Sequence, residues 1–172
     1  LTNVTFAGNQ AVTGSGGGLY NYGNGGEGSP TLTNVTFSDN FARYNGGGML
    51  NTSNSSGVSN PTLTNVNFYS NTAGEYGGGM YNAPTNSSES NPILTNVVFS
   101  GNAATTYAGG AIFNFGAGGD SSPTMINVTF NGNTAKTTGG AIANQGGSDS
   151  GKSGKASPTL TNAILWGNSA PI

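Results

Sequence analysis

The chain has 172 residues, with only four Lys/Arg and six Asp/Glu, a net charge of −2, and neither His nor Cys. Four cations cannot build the basic stripe that tracks phosphates, so a nucleic-acid binder is excluded. No apolar run approaches the length of a membrane span, and the missing Cys removes any disulfide framework without fixing a compartment.

Read from the start, the chain is one phrase spoken repeatedly. Leu1-Thr-Asn-Val-Thr-Phe6 is followed by Pro-Thr-Leu-Thr-Asn-Val-Thr-Phe at 30–37, and the phrase returns as Pro61–Phe68, Pro92–Phe99, Pro123–Phe130 and Pro158–Leu165. Three asparagine columns keep the phase. One holds Asn3, Asn34, Asn65, Asn96, Asn127 and Asn162, and a second holds Asn9, Asn40, Asn71, Asn102, Asn133 and Asn168. The third holds Asn21, Asn51, Asn82, Asn114 and Asn144. A 31-residue unit is too short to close its own core, so each copy must bury its apolar face against its neighbours, as in a solenoid.

Within a copy, Leu32, Val35 and Phe37 alternate with Thr31, Thr33 and Thr36 except at Asn34, which predicts two short strands meeting at a bend. Five apolar columns are the predicted interior: those of Leu32, Val35, Phe37, Ala42 and Met49. The glycine runs before the last column, the Pro opening each phrase and the Ser/Asn/Gly stretches between copies all oppose helix. With 31 glycines and seven prolines the composition borders on that of structureless chains, but random polar sequence would not hold five columns in phase. The expectation is an all-β parallel β-helix, a β-solenoid of about five and a half 31-residue coils in one domain. Its coils span 1–29, 30–60, 61–91, 92–122, 123–157 and the partial 158–172. Stacked at strand spacing, roughly 4.8 Å, identical Asn amides can donate and accept along the axis, so each Asn column is expected to be a structural ladder.

The units Phe6-Ala-Gly-Asn9, Phe37-Ser-Asp-Asn40, Phe68-Tyr-Ser-Asn71, Phe99-Ser-Gly-Asn102 and Phe130-Asn-Gly-Asn133 each precede Gly-Gly-Gly-Leu/Met or Gly-Gly-Ala-Ile. They resemble the FxxN and GGAI repeats of bacterial polymorphic outer-membrane proteins, across the whole chain. More broadly the chain is similar to bacterial right-handed parallel β-helix repeat proteins, many of them secreted or surface-anchored. That resemblance implies a right-handed coil, an extracellular or cell-surface location in a bacterium, and adhesive or structural roles. The sixth copy departs from it, with Leu165-Trp-Gly-Asn168 and no following Gly-Gly half.

Chemistry is sparse. Catalysis by paired carboxylates needs titratable groups held together, and the six acids are scattered, so no enzyme and no cofactor are expected. Arg43 is expected to pair with Glu75 across one coil step. Glu27, Glu89 and Asp120 each lie three residues before a Pro and should share a loop column broken by Val58; adjacent Glu89 and Asp120 are the candidate cation ligands, against a simpler role as solvated charges. Outward Thr31 and Thr33, Thr62 and Thr64, and Thr159 and Thr161 form Thr-x-Thr rows like those of ice- or crystal-binding solenoids, interrupted by Ile93 and Ile126. Thr is also simply a good outward strand residue.

The sequons at Asn3, Asn34 and Asn127 fall on a ladder expected to be inaccessible, which leaves the loop sequons at Asn51, Asn54 and Asn86 better placed for sugars. Tyr44, Tyr76 and Tyr107, together with Tyr20, Tyr81 and Phe113, either cover loops or stack on sugar rings or neighbouring rods. With neither a cap nor a leader visible, the expected partners are further copies stacking head to tail, with glycans as an alternative. The expected role is a structural rod or filament unit, the alternatives being a glycan-binding adhesin segment, an ice binder and a polysaccharide-active enzyme.

Overall fold

The computed structural model describes residues 1–149 and 151–171. It is a parallel β-solenoid, and no helix occurs among these residues. The longest sheet stacks Thr5–Ala7, Thr36–Ser38, Thr62–Tyr69, Ile93–Ser100 and Thr124–Asn131, and ends on Thr159–Thr161 with Ile164–Trp166. A two-residue-wide sheet runs from Gln10–Ala11 through Phe41–Ala42, Thr72–Ala73 and Ala103–Ala104 to Thr134–Ala135. The third runs from Leu19–Asn24 through Met49–Asn54, Met80–Pro84 and Ile112–Phe115 to Ile142–Gln145.

Register follows the columns. Phe68 pairs with Phe37 and Phe99, and Asn82 with Asn51 and Asn114. Leu32, Leu63, Leu94 and Met125, with Val35, Val66, Val97, Val128 and Phe37, Phe68, Phe99, Phe130, are fully buried. The phenyl rings stack with centroids 4.6–5.2 Å apart and planes within 4–6° of parallel, since strand spacing falls within the centroid separation of offset-stacked rings.

The predicted bend lies at the first Asn column, where all six residues take φ of 52–56°. Asn tolerates this left-handed backbone better than other side chains bearing a Cβ. In the first full phrase the bend separates two strands, Thr31–Thr33 and Thr36–Ser38, whereas Thr62–Tyr69 and its two successors run through it unbroken. A second left-handed position precedes the second Asn column, where the sequence supplies Gly8, Asp39, Ser70, Gly101, Gly132 and Gly167.

The glycine run has a positional logic. Its first member is left-handed, with φ +65° at both Gly46 and Gly77. Its second faces the neighbouring coil's backbone, so that a Cβ on Gly78 would lie 2.5 Å from Ala103 N. Its third abuts the phenyl column and is replaced by the buried Ala111 and Ala141 in later coils.

Loops vary while the period holds. The turn Thr105–Thr106 carries one more residue than its counterpart in the preceding coil, and the loop after Asn114 carries one fewer. The longest insert contains an antiparallel hairpin, Gly147–Asp149 with Lys152–Gly154.

Candidate functional site

The three ladders have two different settings. In the second column Asn71 Oδ1 accepts from Asn40 N at 3.1 Å and Asn40 Nδ2 at 2.9 Å, while Asn71 Nδ2 donates to Phe37 O at 2.9 Å and Asn102 Oδ1 at 3.0 Å. Every bonding site of that buried amide is used, and the same set recurs from coil to coil. The third column is also interior: Asn51 Nδ2 donates to Asn82 Oδ1 at 2.9 Å and Asn82 Nδ2 to Asn114 Oδ1 at 2.8 Å.

The first column is different. Asn34 Nδ2 donates to Asn3 Oδ1 at 3.0 Å and Asn65 Nδ2 to Asn34 Oδ1 at 3.2 Å, and this ladder stands exposed on the outer wall. The expectation that sequon residues Asn3, Asn34 and Asn127 are inaccessible is therefore corrected. The break in alternation turns two successive residues, Thr33 and Asn34, away from the core. A second correction concerns Asn51, which is fully buried in the third ladder and not a loop site. Asn86, by contrast, is exposed and donates from Nδ2 to Asn54 Oδ1 at 2.7 Å.

The Thr rows face outward as two columns. Thr31, Thr62, Ile93, Thr124 and Thr159 form one, and Thr33, Thr64, Thr95, Ile126 and Thr161 the other. Ile93 stands 45% exposed, so an isoleucine interrupts the hydroxyl row on the surface itself.

The acidic loop column is assembled through single bridges: Glu27 to Val58, Val58 to Glu89, Glu89 to Asp120, and Asp120 to Lys155. Lys155 Nζ lies 3.1 Å from Asp120 Oδ2, and Asn60 Nδ2 reaches Glu89 Oε2 at 3.5 Å. A recess of about 420 Å³ under the hairpin is lined here by Ser87, Ser88, Glu89, Asp120, Ser153 and Lys155. The Lys155 ammonium, which the repeat pattern did not place in this column, stands beside the Asp120 carboxylate. The expected Arg43–Glu75 pair is corrected, because Lys155–Asp120 is the ion pair found among the described residues. The Arg43 guanidinium carbon lies instead 5.8 Å from the centroid of the Tyr44 ring.

Glu75 sits in a different environment. On the outward face of the third sheet, Tyr81 and Phe113 are register neighbours with centroids 5.6 Å apart. Tyr76 leans over them, 4.6 Å from Phe113 at a 53° tilt, and is backed by Tyr107, stacked at 4.9 Å. The additional residue in the Thr105–Thr106 turn accounts for that match: Tyr107 N donates to Glu75 O, yet its ring falls on Tyr76. Tyr76, Tyr81, Phe113 and Phe115 with Asn45, Glu75 and Gln145 line a recess of about 340 Å³. Burial raises the Tyr81 phenol well above its ordinary value, with smaller contributions from Tyr76 and Glu75. Asn45 Oδ1 is buried beside this recess without a hydrogen-bond partner.

Three segments, residues 3–22, 96–114 and 127–145, match the sequence profile of the Chlamydia polymorphic membrane protein repeat. Each spans the FxxN unit and the glycine run that follows it, the two halves that build the second ladder and the close coil contact. The chain is thus similar to that repeat over roughly a third of its length, and its fold is the β-solenoid which the resemblance implied. No curated protein and no solved structure matches the chain.

Proposed function

We propose that this chain is a non-enzymatic, surface-associated β-solenoid of a bacterium, a stiff rod that assembles by coil stacking and presents an adhesive wall. The observation that carries the reading is the unbroken register of amide and phenyl columns, which gives rigidity without charge, metal or disulfide. The similarity to a membrane protein repeat supports the surface location. Scattered acids and the absence of His support a role without acid–base chemistry. Identical side chains already pair from coil to coil, Phe37 with Phe68 and Asn51 with Asn82, and this self-complementarity supports stacking of further copies in the same register.

Negative-stain microscopy of the purified chain tests the assembly step. Five coil steps of roughly 4.8 Å make each molecule a stub of about 24 Å along the axis, so unbranched fibres many times longer are the expected image. Discrete stubs at high concentration, unaltered by Trp166→Glu, would refute self-stacking. The aromatic recess favours an adhesive role for the same rod over a purely mechanical one. Release of reducing ends from pectic or other acidic glycans would overturn the non-enzymatic assignment.

A further inference from the structure

We infer that the recess formed by Glu75, Tyr76, Tyr81, Phe113, Phe115 and Gln145 is a binding site for a neutral glycan, holding one or two sugar rings; this rests on the reading of the rod as adhesive. Outward residues on a solenoid wall meet water, and most columns here carry Thr, Ser or Asn there. This patch breaks the habit. Tyr81 and Phe113 share one outward column of the third sheet with Tyr20, Leu50 and Ala143, and only at these two coils do aromatic rings become neighbours in it.

The rings are held as a platform. Tyr107 backs Tyr76 at 4.9 Å, Tyr76 closes on Phe113 at 4.6 Å, and Phe113 lies 6.5 Å from Phe115. All stand on or beside strands fixed by the ladders, so little ordering remains to be done on binding. The volume of about 340 Å³ lies at the small end of ligand sites, suited to one or two pyranose rings and too tight for a folded peptide segment.

Chemistry narrows the ligand class. A sugar presents an apolar C–H face and a rim of hydroxyls, and this recess offers the rings of Tyr76 and Phe115, with the buried Phe113 beneath them, and a rim of amide and carboxylate groups from Asn45, Glu75 and Gln145. The Asn45 Oδ1 left without a donor shows that the local polar network is incomplete in the free chain. No cation lines the recess, and the Glu75 carboxylate would repel a uronate or sialate at this distance. Uncharged hexose or N-acetylhexosamine chains fit both conditions.

Calorimetric titration of the full chain with cellotetraose, chitotetraose and tetragalacturonate tests the site. At least one neutral tetrasaccharide is expected to bind with Kd of about 1 mM or tighter, and tetragalacturonate at least about tenfold more weakly. Tyr76→Ala should weaken the neutral sugar about tenfold or more, and Glu75→Gln should narrow the gap to the acidic one. If circular dichroism shows that Tyr76→Ala disturbs the fold, Phe115→Leu keeps apolar volume without a ring face and must weaken binding instead. Neutral probes left unbound at about 10 mM, binding indifferent to the ring variants, or preference for tetragalacturonate would each overturn the assignment. Fibre formation by the same sample is read separately, so a vacant recess on an assembling rod sinks this inference alone.

Discussion

Asn71→Ala isolates what an interior ladder contributes. The amide it removes serves four partners, and its loss orphans two buried donors, the Asn40 backbone N–H and one Asn40 Nδ2 hydrogen, while the Phe37 carbonyl keeps only its place in the sheet ladder. Asn102 Oδ1 keeps the Asn71 backbone N–H at 3.0 Å, so the damage lies on the N-terminal side of the mutated coil. At about 1–3 kcal/mol for each unsatisfied buried group, the sum is roughly 2–6 kcal/mol, a large share of the stability of an ordinary domain. The control is Asn65→Gly in the exposed ladder, which keeps the left-handed backbone and loses bonds that water replaces, at under about 1 kcal/mol. Urea melts followed by circular dichroism compare the two, with amide hydrogen exchange locating the loss, because stacked coils need not unfold as one unit. Exchange in the Asn71 variant should accelerate first around Phe37 and Asn40. Equal destabilisation by the two variants would refute the distinction between interior and surface ladders.

The glycine run gives a second contrast: Gly78→Ala, whose Cβ would press on the Ala103 backbone at 2.5 Å, should cost about 1–3 kcal/mol or more, and Gly79→Ala less, since the phenyl column already accepts Ala111. The same urea melts rank them. Tyr81 predicts a pH dependence. Its folded pKa is raised above the unfolded value of 10.0, so its contribution is intact below pH 10.0 and declines as pH climbs toward the folded value. Tyr81→Phe should flatten that alkaline decline in denaturation midpoints. Lys155 is 65% exposed, so Lys155→Ala should change stability by less than about 1 kcal/mol despite the 3.1 Å pair; a larger loss would mean that the hairpin depends on it.

The stack was legible because a 31-residue period in Asn and apolar residues has few solutions. Phe37 above Phe68, Ala42 above Ala73 and Met49 above Met80 follow from counting alone. Which side of the wall a column faces is harder, because a period says what stacks and is silent on orientation. The signal was present at Asn34, where Thr33 and Asn34 break the alternation and both point outward, while Asn40 follows a left-handed Asp39 that turns it back inside. The aromatic residues of the recess were named from the sequence, but their gathering around Glu75 was not legible. It depends on Tyr76 leaning over Phe113, and on one additional turn residue steering the Tyr107 ring, neither of which repeats.

Identity stacking also explains why this wall carries so few charges. A column repeats its side chain every 4.8 Å or so, and like charges at that spacing repel along the entire axis, whereas an amide offers a donor to one neighbour and an acceptor to the other. Asn therefore fills the interior polar columns of the coil, and the charged residues lie outside the three stacked sheets. The one column with several charges shows the constraint operating. Val58 separates Glu27 from Glu89, and where Glu89 and Asp120 do become neighbours, the next coil supplies Lys155 with its ammonium 3.1 Å from Asp120. A charge introduced into an interior ladder has no such relief: Asn71→Asp would place a carboxylate oxygen against Asn102 Oδ1 and the Phe37 carbonyl, each of which loses the amide hydrogen that it now accepts. The same rule that stacks the coils thus leaves the proposed recognition to the places where the repeat is broken, in the loops and at the aromatic recess.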